Sequence, residues 1–243
     1  MTTENTGKTV LVISAHAADF VWRAGGAIAL YVSRGYKLRI LCLSYGERGE
    51  SQGAWKEPGM TIERVKKIRH AESAQAAKIL GAEIRFFDSG DYPLKPSDET
   101  IHEIVLEFRR LQPVIVLTHS YFDPYNPDHP AACNLTMQAR VLAQAHGYPG
   151  EGKALGAPPV FLFEPHQPEQ CDFKPQALLD ITPVWEIKRK SMEAMVAQTH
   201  LVEYYTDLGK RRGVQAVRNG GSKSIKYAEA YQRVYPQVTD QLS

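Results

Sequence analysis

Residues 9–29 read TVLVISAHAADFVWRAGGAIA, and this stretch decides the fold. Thr9 to Ser14 is a continuous, largely β-branched apolar run, as expected of a strand buried on both faces rather than one alternating between core and water. His16-Ala17-Ala18-Asp19 follows, and a helix is expected from Asp19 to Arg34, closed by Gly35 as its C-cap. A second strand, Lys37 to Ser44, begins almost at once. Strand, helix and strand in this length form a βαβ unit, with parallel strands and a right-handed crossover. Sheets of this kind bind ligands at the C-terminal ends of their strands, where His16 and Asp19 stand.

The same alternation continues outward. Tyr45 to Met60 (YGERGESQGAWKEPGM) is a polar, glycine-bearing loop at the end of the second strand. Thr61 to Leu80 reads as a helix ended by Gly81, Glu83 to Phe87 as a third strand, and Ser97 as the N-cap of a helix stopping before Pro113. Val114 to Thr118 is a fourth strand, and the irregular loop His119 to Pro130 (HSYFDPYNPDHP) leads into a helix reaching about His146. Val160 to Phe163 is a fifth strand that delivers Glu164-Pro165-His166. Leu178 to Ile181 reads as a short strand, and Trp185 to Gln198 and Leu201 to Arg212 as helices.

With 243 residues, 43% of them hydrophobic, the chain can bury one sizeable core, and no repeat or linker divides it. We expect a single α/β, Rossmann-like domain spanning 1–243, with a mainly parallel sheet flanked by helices and a flexible N-terminus at 1–8. Net charge is only +2, with both signs interspersed, which argues against a nucleic-acid partner. No run of about 18 apolar residues argues for a membrane span, and MTTENTGK lacks a signal-peptide core. Cys42, Cys133 and Cys171 are too scattered for a disulfide framework or a cysteine metal site, so a cytoplasmic setting is expected. Lys210 to Lys226, with Arg211, Arg212, Arg218 and Lys223, reads as a solvated face or as a subunit contact in a homo-oligomer.

Parallel strands point one way, so the loops after strands 1, 4 and 5 should converge. They carry His16 and Asp19; His119, Asp123, Asp128 and His129; and His166. Two histidines and a carboxylate with open positions form a catalytic set for zinc, and also for non-haem iron; the ligands chosen are His16, Asp19 and His129. Position alone also allows Asp19 and Asp128 to be helix caps. His70, His102, His146 and His200 lie in helical stretches and read as surface or packing residues. Tyr92, Tyr121 and Asp123 are weaker site candidates, and Trp22, Trp55 and Trp185 read as packing residues, with Trp55 placed to cover the pocket.

The strand followed by A-H-x-x-D, the helix entered through Gly25-Gly26, G-E-R-G-E at Gly46 to Glu50 and N-P-D-H at Asn126 to His129 together resemble the PIG-L, or LmbE-like, zinc-dependent de-N-acetylases. The resemblance implies one Zn2+ per chain on His16, Asp19 and His129, with Asp128 orienting the site from behind. Deacetylases of the family usually read A-H-P-D-D-E, the first aspartate serving as general base. Here Ala18 stands in the base's place and Phe20 in the glutamate's, and Asn126 replaces a further histidine.

Within the family, A-H-x-A-D-F-V-W-R-A-G-G with L-S-x-G-E-R-G-E-S resembles a hydratase branch. Such enzymes add water across a conjugated double bond of an unsaturated tricarboxylate from aromatic-acid catabolism. The expected partner is then a small anionic carboxylate. Glu50 is nominated as base and His166 as acid, and Arg48 and Arg23 as partners of substrate carboxylates, with His119 and Asn126 also against substrate. The rival readings are a deacetylase that finds its base elsewhere, for instance Glu50, and a metal-free binding protein.

Overall fold

In a computed structural model, residues 7–240 are described. The flexible N-terminus expected at 1–8 therefore falls largely outside them. The elements run β1 (Thr9–Ser14), α1 (Asp19–Ser33), β2 (Lys37–Cys42), the single turn α2 (Gln52–Trp55), α3 (Ile62–Leu80), β3 (Glu83–Phe86), α4 (Asp98–Leu111), β4 (Ile115–Thr118), α5 (Asp128–Gln144), β5 (Val160–Phe163), β6 (Ala177–Asp180), α6 (Trp185–Glu193), α7 (Leu201–Arg218) and β7 (Ala228–Arg233). One sheet has the strand order β3-β2-β1-β4-β5-β7-β6. The first five strands are parallel, as the βαβ reading requires, and β7 lies antiparallel between β5 and β6.

β1 is buried at every residue. Val10 and Val12 face a core built with α1, α3, α6 and α7, while Leu11 and Ile13 face a second core built with α4 and α5. A strand between two apolar layers has no wet face, which is why its sequence does not alternate. Each Leu or Ile so buried contributes about 1.5–3 kcal/mol, which fixes β1 as the central rail of the sheet.

The C-terminal third is bolted to α1 by a buried ion pair. Lys188 on α6 donates to Glu229 on β7 (2.6 Å) and to the Trp22 carbonyl (3.0 Å), and Glu229 accepts from Gly26 N (2.7 Å) and Ala27 N (2.8 Å). The pair thus enters the backbone ladder of α1 and satisfies groups on both sides of the gap, the condition under which a buried ion pair is tolerated. A Cβ on Gly26 would lie 2.7 Å from Ile181 and 2.9 Å from Glu229, so only glycine admits this contact. Among the described residues no helix is long and apolar enough to cross a membrane.

Candidate active site

The loops after β1, β2, β4 and β5 meet the α6–α7 connection around a cleft of about 280 Å³. Of the residues singled out from sequence, Asp19, Arg23, Glu50, Asn126, His129 and His166 line it, as do Tyr92 and Asp123.

Asp19 does not act as the helix cap. The N-cap of α1 is Ala18, which makes no side-chain cap bond, and the Asp19 carboxylate turns back to accept from His16 N (2.9 Å). It lies 3.1 Å from His16 Nδ1, 3.4 Å from His129 Nε2 and 3.5 Å from Arg23 Nε. Burial works against its charge, but His129, His119 and His16 outweigh it and hold the carboxyl well below the usual range. Burial likewise disfavours a charged His16, yet Asp19 and Asp128 overcome it and raise the imidazole to about 10. A position that stabilises an imidazolium also suits a metal cation.

His129 carries the clearest sign of a ligand. Asp123 engages its Nδ1 at 2.7 Å and so orients the ring, while Nε2 is buried with no hydrogen-bond partner. A carboxylate behind one imidazole nitrogen with the other left free is how metal-binding histidines are commonly held. Donor atoms within 4.8 Å of one another form two sets, His16-Glu50-His129 and Asp19-His119-His129. His119 Nε2 accepts from Ala15 N–H at 2.9 Å, so its lone pair is already taken. Each set joins His129 to a second histidine and a carboxylate, donor chemistry that suits a divalent cation, and neither contains His16, Asp19 and His129 together. Asp128 accepts from Tyr92 N and Leu94 N (both 2.8 Å) and meets His16 Nε2 at 3.1 Å, tying the loop after β3 to the site.

Glu50 is held by three donors. Asn126 Nδ2 (2.7 Å) and the Tyr92 hydroxyl (3.2 Å) bond to one oxygen, and Gln198 Nε2 (3.3 Å) to the other. The loop carrying it is shaped by Asp91, whose carboxylate accepts from Arg48 N and Gly49 N. A Cβ on Gly49 would lie 2.2 Å from the Tyr92 ring, so the close approach of Tyr92 depends on that glycine.

The structure does not bring two of the substrate-binding candidates to the cleft. Arg48 donates to the Asp91 carbonyl (2.7 Å) and lines a separate surface hollow with Lys66 and Asp88, because the Asp91 clamp turns its side chain away from Glu50. His119 lies behind His129, stacked on it at 4.4 Å, and does not line the cleft. Trp55 is tied to the Glu47 carbonyl and does not line the cleft, whereas Trp22 lines it while stacking on Tyr205. Ala18 and Phe20 are buried in the core, so neither deacetylase position presents a polar group.

Several cleft residues have no counterpart in the sequence reading. Gln198, Leu201 and Tyr205, together with His200, come from the α6–α7 connection and the start of α7. His200 is exposed, as expected of a surface residue, and lines the cleft as well. The signal that could have found them is the polar Gln198-Thr199-His200 immediately before α7, followed by the paired aromatics Tyr204-Tyr205 in its first turns.

Five parallel strands, a histidine–carboxylate centre at their ends and an N-P-D-H loop define a class. The PIG-L profile, described as GlcNAc-PI de-N-acetylase, matches residues 11–140, and the chain belongs to the PIG-L family. The 4-oxalmesaconate hydratase of Pseudomonas putida is 53% identical over 97% of this chain and 93% of its own length. The crystal structure of the 4-carboxy-2-hydroxymuconate hydratase of the same species, 52% identical, superposes with a TM-score of 0.95 over 97% of this chain and all of that one (100%). The N,N'-diacetylchitobiose deacetylase of Pyrococcus horikoshii shares the fold at 21% identity, with a TM-score of 0.78 over 93% of this chain and 84% of its own.

Proposed function

We propose that this chain is a zinc-dependent hydratase that adds water to the conjugated double bond of 4-oxalmesaconate, giving 4-carboxy-4-hydroxy-2-oxoadipate. The observation that carries the reading is the 53% identity to a hydratase of that substrate over 97% of the chain. The chemistry of the cleft agrees with it. Where a deacetylase needs its base there is a core methyl group, while Glu50 and His166 both face the cleft.

His16, Asp19 and His129 are assigned to hold one zinc ion, which when bound supplies Lewis acidity toward a substrate oxygen. Arg23 meets a substrate carboxylate; it is buried and lines the cleft, and its Nε has no hydrogen-bond partner. Glu50 takes a proton from water as the water oxygen bonds to one carbon of the double bond, and the double-bond electrons shift to the other carbon, toward the carboxylate conjugated with it. His166 then gives a proton to the adjacent carbon. The sum is H and OH across one double bond, and exchange with solvent returns Glu50 and His166 to their starting states. Three buried, unpaired cysteines suit the cytoplasmic setting of such catabolism.

Burial first, and then the Arg23 charge, push His166 below the ordinary histidine value of 6.5. A proton donor must be charged, so kcat/KM is expected to fall as pH rises through that lowered value, and His166→Ala should remove this limb. Activity that instead rises through the same pH would make His166 a proton acceptor. The function itself is tested by incubating the zinc-loaded protein with 4-oxalmesaconate and following loss of its conjugated absorbance. No loss, alongside acetate release from an N-acetyl sugar, would transfer the chain to the deacetylases.

A further inference from the structure

Among the described residues the largest wholly buried side chain is a charged one, Arg69 on α3, and its partners lead to the cleft. Arg69 Nη1 donates to Glu72 (2.6 Å) and Nη2 to Gln198 Oε1 (2.9 Å). Glu72 in turn accepts from Ala197 N (2.8 Å), so the pair pins the turn Val196–Gln198 to α3. Gln198 Oε1 also accepts from Trp22 Nε1 at 3.3 Å. Guanidinium and indole N–H groups can only donate, so the amide has one permitted face: oxygen toward Arg69 and Trp22, NH2 toward Glu50 Oε2 at 3.3 Å.

We propose that Gln198 is a positioning residue for hydration, holding the Glu50 carboxylate in its reactive orientation, and that Arg69 and Trp22 set the amide so that it can do so. The inference rests on the reading of Glu50 as base. Asn126 and Tyr92 hold one carboxylate oxygen from one side, and Gln198 holds the other from the α6–α7 connection. Without the second anchor the carboxylate is free to swing about its last bond. Misplacement of a reacting group by about 1 Å can cost on the order of 10²-fold in rate.

Gln198→Glu separates positioning from mere structure. The new carboxylate still accepts from Arg69 and Trp22, so a purely structural role survives, but it turns an acceptor toward Glu50. We expect kcat to fall about 10- to 100-fold with KM little changed and metal content per chain as in wild type. Gln198→Met, which removes both functions at similar volume, should lose kcat as well. Wild-type kcat in Gln198→Glu overturns the proposal.

A second measurement does not depend on turnover. The melting temperature should drop in Gln198→Glu, where two carboxylates meet, and adding Glu50→Gln should restore it by reversing the pair. If Glu50→Gln shifts the melting temperature equally in both backgrounds, the contact itself is refuted. If the contact is present but wild type leaves 4-oxalmesaconate untouched, the functional reading fails instead.

Discussion

Replacing Asp19 with asparagine is expected to strip the protein of metal and to lower turnover on the order of 10³-fold. The carboxylate is the hub of the site, in contact with His16, His129 and Arg23 within 3.1–3.5 Å. Asparagine keeps the volume but removes the charge that holds His16 charged and that would face the cation. Lewis-acid assistance contributes several kcal/mol, and each 1.36 kcal/mol is tenfold in rate, which gives that estimate. Metal per chain after purification and desalting, together with steady-state turnover, checks it. A variant that keeps about one metal per chain would remove Asp19 from the ligand set.

Glu50→Gln is expected to lower kcat by about 10²- to 10⁴-fold, the usual cost of a positioned base, while metal content stays near wild type. The glutamine amide fits the same space, but it cannot take a proton from water. The metal measurement decides between two roles, because Glu50 also belongs to a donor set with His16 and His129. Loss of metal together with turnover would make Glu50 a ligand rather than the base. Full turnover would end its assignment as base.

The parallel part of the fold was legible because β1, β4 and β5 are apolar runs and β1 to β4 are each followed by a helix in sequence. β7 was not. Its AEAYQR pattern is half polar, and its sheet partners β5 and β6 lie 50 to 70 residues earlier in the chain, so no local signal announces it. The convergence of His16, Asp19 and His129 followed from strand ends alone. The contrast between Arg48 and Glu50 did not, because both lie in the same polar loop and only Asp91, more than 40 residues away, decides which one points inward. Asp123 was visible as a candidate but not in its role, since the grip on His129 is a matter of distance rather than spacing. Gln198 was hidden because a single polar residue near a helix end looks the same in sequence whether it meets water or, as here, a buried arginine and a cleft carboxylate.

The cleft is assembled from two separate lengths of chain. Asp19, Glu50, Asn126 and His129 fall inside the stretch 11–140 that matches the family, whereas His166, Gln198, His200 and Tyr205 all lie beyond it. The molecule thus divides its labour between the two. On the roles proposed above the base Glu50 falls in the first length, whereas the acid His166 and the Gln198 amide that holds the base fall in the second. Glu50, reached from the second length by Gln198, is one of several places where the two touch, so a substitution in the last third of the chain can act directly on a residue of the loop after β2.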